Sequence, residues 1–196
     1  FPVISLLSYG SIDSFQVINE KKYLFFNSSI NTFYLLTLTI FVSLFLGLFP
    51  AWYITRYQFK FRKTIDFLMY LPLAIPTYIM AFSYGEILSY TGPFQTFLRL
   101  YFKPISNFFN RDYLTIEILG IILGLSLYPY VYAACRISFS LIGKTYLNLS
   151  ESLGNNWFKT FFKVVIPLSV PSILSAIFLV SMEVLNEYGA VKYFGI

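Results

Sequence analysis

The chain has 196 residues, of which 57% are apolar and only 12% charged, with a mean hydropathy of +0.67. A soluble domain carries about 45–50% apolar and 25% charged residues, so this composition excludes one and calls for lipid as the solvent. Histidine is absent and Cys135 stands alone, which excludes an intrachain disulfide, His-based catalysis and His or Cys metal cages. The net charge of +5 sits between apolar blocks, where it reads as a membrane-orientation signal and not as a nucleic-acid surface.

A bilayer core about 30 Å thick needs roughly 20 apolar helical residues. In chain order, Phe1 to Tyr9 is apolar but too short to span, and reads as the last turns of a truncated first span or as the residue of a cleaved leader. Residues 1–29 are thus expected to hold that end plus an outer segment, and residues 30–196 one membrane domain incomplete at its C-terminus. Complete spans are predicted at Ile30 to Ile54, Ile65 to Tyr90, Leu114 to Ser140 and Val164 to Leu185. A β-barrel would instead alternate apolar and polar residues in strands of about ten residues. The fold class is therefore all-α, a polytopic transmembrane helical bundle.

Arg56, Lys60, Arg62 and Lys63 place the loop Thr55 to Lys63 on the cytoplasmic side. Alternation then puts Lys144, Lys159 and Lys163 inside and the connection Thr91 to Tyr113, with Arg99, Lys103 and Arg111, outside. Arg136, at the edge of its span, is expected to snorkel to the inner surface without holding a ligand. Pro50, Pro72, Pro76, Pro129, Pro167 and Pro171 each remove a backbone donor. In Leu71 to Tyr78 the pair Pro72 and Pro76 reads as a bent packing helix or as a flexing gate. Gly47, Ala74, Ala81, Gly85, Gly120, Gly124, Ala133 and Ala134 permit close helix contact.

Glu86, Glu183 and Glu187, with Tyr188 and other phenols, fall towards the outer ends of the second and fourth spans. Oxygen ligands suit a hard cation, so these side chains are candidate outer-mouth cation contacts; the alternative is that they are helix ends in interfacial water. No stably bound metal is expected.

Lys144 to Leu174 is too polar at its start to insert and too apolar to be a free linker. Thr145 to Leu153 reads as an amphipathic helix with Tyr146, Leu149 and Leu153 on one face, Gly154 as a turn, and Asn155 or Asn156 as the cap of a second helix from Trp157 that runs up to Pro167. Such a knuckle suits a groove in a cytoplasmic partner.

These residues resemble the integral membrane permease subunits of binding-protein-dependent ABC importers. That family's signature is Glu-Ala-Ala, a Gly four residues after the second Ala, and a later Ile- or Leu-Pro. Here Gly154 and Ile166-Pro167 hold the corresponding places, while Asn148, Leu149 and Ser150 stand where the family has Glu-Ala-Ala, so the contact at the first position is neutral. The resemblance implies the type I ABC importer permease fold and an ATPase-coupling loop comprising Asn148, Leu149, Ser150, Glu151, Leu153, Gly154, Trp157 and Pro167. It implies as partners a cytoplasmic ABC ATPase dimer, a periplasmic substrate-binding protein and a second permease domain, fused or separate, within the lipid bilayer of a bacterial inner membrane. Ser181 to Ile196 is similar to the outer segment of ferric-iron permeases, which makes ferric iron the expected cargo; thiamine, a polyamine or an inorganic anion is the alternative. The chain has no Gly-x-x-x-x-Gly-Lys-Ser/Thr loop, so ATP hydrolysis is expected in another subunit and no cofactor is implied. A membrane-embedded enzyme or a scaffold subunit is the rival class.

Overall fold

The computed structural model describes residues 13–102, 113–142 and 144–195, without the side chains of 13–25, 144, 145 and 151. The expectations for Phe1 to Tyr9, Lys103 and Arg111 lie outside the described residues. Among those described the fold is all-α, as the composition requires: α1 (Asp13–Arg56), α2 (Arg62–Leu68), a 3-10 turn (Leu71–Ala74), α3 (Thr77–Leu88), α4 (Pro93–Tyr101), α5 (Ile116–Leu141), α6 (Lys144–Ser152), α7 (Trp157–Thr160), a π turn (Phe161–Val165), α8 (Ile166–Asn186) and α9 (Tyr188–Phe194).

The chain divides into two units, Phe1–Tyr34 and Leu35–Ile196. In the first, side chains are exposed from Phe26 to Ile30 and from Thr32 to Tyr34, and the Thr32 hydroxyl donates to its own helix at Ser28 O, 2.8 Å away. All packing that follows belongs to the second unit.

Among the described residues three helical stretches are long and apolar enough to cross a membrane: Phe26–Arg56, Ile116–Leu141 and Trp157–Asn186. The expected second span is not one helix. Arg62–Ala74 and Thr77–Tyr101 meet at 88°, because Pro72 opens the 3-10 turn and Pro76 caps α3 with extended backbone at ψ 140°. Two missing N–H donors four residues apart leave no continuous helical ladder, so the break replaces the single span expected over Ile65 to Tyr90. The connection after it also folds further than expected: Gly92 and Pro93 start α4, Pro93 sitting at the first helical turn where its missing donor costs nothing.

Helix α5 is the centre, with 61% of its apolar window buried against 22% for Trp157–Asn186. Buried residues surround it, among them Leu119, Leu123, Leu127, Val131, Tyr132, Cys135 and Phe139. Helix α1 approaches it closely where glycines stand. A Cβ on Gly120 would lie 2.7 Å from Leu38, one on Gly124 2.6 Å from Val42, and one on Gly47 2.7 Å from Val131 and 2.9 Å from the Tyr132 backbone nitrogen. Along the same seam Thr39 and Ser43, both buried, donate to the Gly120 and Gly124 carbonyls at 3.3 Å. Small residues and interhelical hydroxyls are what hold helices together where lipid removes the hydrophobic drive. Of the small residues picked from the sequence, Ala81 and Gly85 are also buried, Ala133 and Ala134 half-buried, and Ala74 exposed.

Candidate functional site

The knuckle forms, with one change from its expected shape. Helix α6 ends at Ser152, Leu153 and Gly154 turn, and Gly154 adopts φ +79°, a left-handed backbone that residues with a Cβ rarely enter. Asn156, and not Asn155, caps the next helix, its Oδ1 accepting from the Lys159 backbone N–H at 3.0 Å. That helix is not a separate short piece. It runs from Trp157 through the π turn into α8, so Pro167 lies in the first turn of α8 within a stretch that continues to Asn186. The π turn has a cause, because Pro167 cannot donate to the Lys163 carbonyl and the Ile166 N–H reaches back five residues to Phe161 O.

Inside the elbow Ser150 is buried and its hydroxyl lies 3.0 Å from that of Thr160, also buried. Asn155 closes the corner twice, through its backbone N–H to Ser150 O at 3.2 Å and through Nδ2 to Ser150 Oγ at 3.3 Å. Leu147 faces inward, whereas Tyr146, Leu149 and Leu153 are exposed, Leu153 at 81%. Asn148 is exposed beside them, and the side chain of Glu151 lies outside the described ones. The apolar face picked from the sequence is thus turned outward.

The elbow is tied to the bundle by aromatic rings. Phe161 is buried and its ring lies 5.7 Å from Trp52 of α1, 6.3 Å from Phe139 of α5 and 6.1 Å, nearly parallel, from Trp157. Trp52 and Phe139 meet edge to face at 6.0 Å. Phe158 and Phe162 stay exposed and stack on each other. This cluster joins the first turns after the elbow to the ends of two spans.

Sequence reasoning missed a lock at the same end. Arg136 does not simply snorkel: its Nη2 lies 3.4 Å from Asp66 Oδ2 and its Nη1 donates to Thr55 Oγ1 at 3.3 Å. Tyr132, one turn earlier on α5, donates its hydroxyl to Asp66 Oδ1. Asp66 thereby fastens α2, the first arm of the broken segment, to α5. The signal available was an acidic residue at one span's edge and an arginine at another's, too far apart in sequence for any periodicity to pair them.

At the far end the three carboxylates are held separately. Tyr193 of α9 donates to Glu86 at 2.8 Å, Tyr130 of α5 donates to Glu183 at 3.3 Å, and Thr77, opening α3, donates to Glu187. Glu187 also caps α9, its Oε1 accepting from the Ala190 N–H at 3.2 Å. Tyr188 is exposed, with Lys192 Nζ 5.7 Å from its ring centre. Among the described residues no group of three or more Asp, Glu or Cys side chains is placed to hold a metal ion. Glu183 instead lines a cavity of about 250 Å³ with Pro76, Thr77, Ser126 and Tyr130, formed where the segment breaks at Pro76.

The family model for the inner membrane component of binding-protein-dependent transport systems matches residues 43–196. The sulfate transport system permease protein CysT of Escherichia coli is 28% identical over 147 residues, covering 75% of this chain and 50% of that protein. A probable sulfate transport system permease protein from Helicosporidium is 26% identical over 197 residues, 97% of this chain and 68% of the relative. The molybdenum transport system permease protein ModB of Azotobacter vinelandii is 25% identical over 166 residues, 84% of this chain and 70% of the relative. The chain spans about half the length of the Escherichia coli relative. With the match covering most of its residues, this chain belongs to the family of inner-membrane components of binding-protein-dependent transport systems.

Proposed function

We infer that the chain is the permease portion of an ATP-driven importer for a tetrahedral oxyanion of the sulfate and molybdate kind. Residues 30–196 form the membrane domain, in a bacterial inner membrane, beside a second permease domain. A periplasmic binding protein delivers the ion, and a cytoplasmic ATPase dimer docks on the knuckle. The observation that carries this reading is the elbow itself: an outward apolar face at Tyr146, Leu149 and Leu153, fixed internally by Ser150, Asn155 and Thr160. A rigid projecting element that continues into a span transmits displacement without absorbing it. Asn148, Leu149, Glu151, Leu153 and Gly154 form the docking turn, while Trp157 and Pro167 begin the lever.

The oxyanion is favoured over ferric iron on two grounds. The relatives are sulfate and molybdenum transport permeases by name. The carboxylates Glu86, Glu183 and Glu187 each accept from their own donor at separate places, whereas ferric iron would call for oxygen ligands converging on one point. The hollow lined by Thr77, Ser126 and Tyr130 also carries the Glu183 carboxylate, so its lining does not by itself choose between the two cargoes.

The experiment is uptake by the full-length protein, reconstituted in proteoliposomes with its ATPase and binding protein. ATP-dependent accumulation of radiolabelled sulfate or molybdate is expected. Accumulation of ferric iron alone, abolished by changing Glu86, Glu183 and Glu187 together to Gln, would replace the oxyanion with the cation. No ATP-linked transport of any of these would remove the importer reading.

A further inference from the structure

Between α1 and α2, at the end of the second unit that holds the Trp52–Phe161 cluster, lies a cavity of about 460 Å³. Its lining includes Gln58, Lys60, Arg62, Lys63, Asp66 and Arg136. Four cations thus face one carboxylate, and that carboxylate is already engaged on both oxygens, by Arg136 and by Tyr132. Among the described residues Lys60, Arg62 and Lys63 have no carboxylate within ion-pair distance. Like charges gathered around one hollow repel each other, and an anion placed within removes that repulsion.

The floor of the cavity is prepared for such a guest. Arg136 is mostly buried, at 18% side-chain exposure, and its Nε is buried without a hydrogen-bond partner. Its two contacts, at 3.3 and 3.4 Å, are long beside the roughly 2.7–2.9 Å of a saturated charged hydrogen bond. The guanidinium fork therefore has unused donor capacity, while Lys60 and Lys63 of the same lining are exposed. The surroundings are apolar and open: Tyr57, Phe61, Ile65, Phe67 and Leu68 are exposed, and Lys60 Nζ lies 5.9 Å from the Phe61 ring centre.

We propose that this cavity binds an anionic phosphate group, with Arg136 as the fixed fork and Lys60, Arg62 and Lys63 as the closing cations. A phosphate can arrive on a lipid headgroup, whose acyl chains would lie along the exposed Phe61, Ile65 and Phe67, or as the free ion. Either guest competes with Asp66 for Arg136, so occupancy bears on the contact that fastens α2 to α5. The inference is independent of the cargo and of the ATPase.

The test uses the full-length protein in its complex. Native mass spectrometry after exchange into mixed phosphatidylglycerol and phosphatidylcholine micelles reads lipid retention, and equilibrium dialysis with labelled inorganic phosphate reads the free ion. Retention of phosphatidylglycerol at least tenfold over phosphatidylcholine is expected. Each neutralised cation should weaken it roughly fivefold, so the combined Lys60→Gln, Arg62→Gln and Lys63→Gln protein should lose it about a hundredfold. The single changes Lys60→Gln and Lys63→Gln, both at exposed positions, test the same point without threatening the fold, and Lys60→Arg with Lys63→Arg should retain binding. Binding of inorganic phosphate that the Gln variants lose, without lipid preference, assigns the free ion as the guest. Equal retention of both lipids with no phosphate bound, or binding unchanged by all the Gln variants, overturns the proposal.

Discussion

Replacing Gly154 separates two explanations of why a glycine stands at the elbow. Its φ of +79° lies in the left-handed region, and a Cβ built there meets nothing within 4 Å. Space inside the chain therefore does not demand glycine; backbone conformation does. A Cβ-bearing residue in that region costs about 1–2 kcal/mol, and a β-branched one lies at the upper end. That free energy converts to a five- to thirtyfold loss in occupancy of the native elbow relative to alternatives that splay α6 from α7. Asparagine tolerates the left-handed region, so Gly154→Asn should retain most activity while Gly154→Val loses it. The assay is uptake beside ATP hydrolysis in proteoliposomes holding the whole transporter. Gly154→Val should insert and assemble, hydrolyse ATP and fail to couple hydrolysis to uptake. If Val is tolerated, the conformational argument fails. If Asn is as harmful as Val, the glycine serves a close approach by the docked ATPase and not its backbone angle.

Other substitutions test the packing and the lock. Gly47→Ala should destabilise by about 1–3 kcal/mol, because its new methyl meets Val131 and the Tyr132 backbone nitrogen, and backbone cannot turn aside. Gly189→Ala meets Tyr78 Cβ at 3.4 Å, an ordinary contact, and should stay within about 0.5 kcal/mol; denaturant unfolding of both variants in mixed micelles checks the difference. Asp66→Asn removes the charge that Arg136 and Tyr132 share, at an expected cost of about 1–3 kcal/mol, with a smaller loss at high salt because Asp66 is 30% exposed. Leu149→Ser and Leu153→Ser, on the outward face, should leave stability unchanged while weakening co-purification of the ATPase; retained ATPase would place docking elsewhere.

What was legible in the sequence was local. Runs of apolar residues marked the spans, since length and hydropathy suffice for that, and Gly154 followed by Asn156 marked the elbow because turn and cap chemistry act within a few residues. Pro72 and Pro76 read as a bent helix or a flexing gate where the chain in fact breaks, because sequence does not say whether neighbouring helices repair the lost hydrogen bonds. Continuity from Trp157 into α8 was missed because Pro167 reads as a boundary, while a π turn lets the helix pass it. The partners of charged groups were out of reach altogether. Glu86 finds Tyr193 and Asp66 finds Arg136 only through packing of α9 on α3 and of α2 near α5, and periodicity speaks of neighbours on one helix. The acidic residues thus looked like one mouth when the fold gives each its own partner.

Glu187 shows how that difference can be measured. It stands where α8 ends, receives the Thr77 hydroxyl from the start of α3 and caps α9 through the Ala190 N–H, so one carboxylate joins three helices at the end opposite the elbow. Hydrogen bonds to a charged acceptor contribute about 1.5–3 kcal/mol, and loss of a cap typically about 1. Glu187→Ala should therefore lower stability, read by denaturant unfolding in mixed micelles, by about 2.5–4 kcal/mol, and Glu187→Gln, which keeps an acceptor oxygen, by less. A residue whose work is structural predicts that uptake falls in step with stability across Ala and Gln, for every transported ion alike. A cargo ligand predicts the reverse pattern, stability held and uptake lost in the Gln variant, with the ion's apparent affinity shifted. The second pattern would show that the carboxylate meets cargo, and the structural role assigned to it would then be wrong.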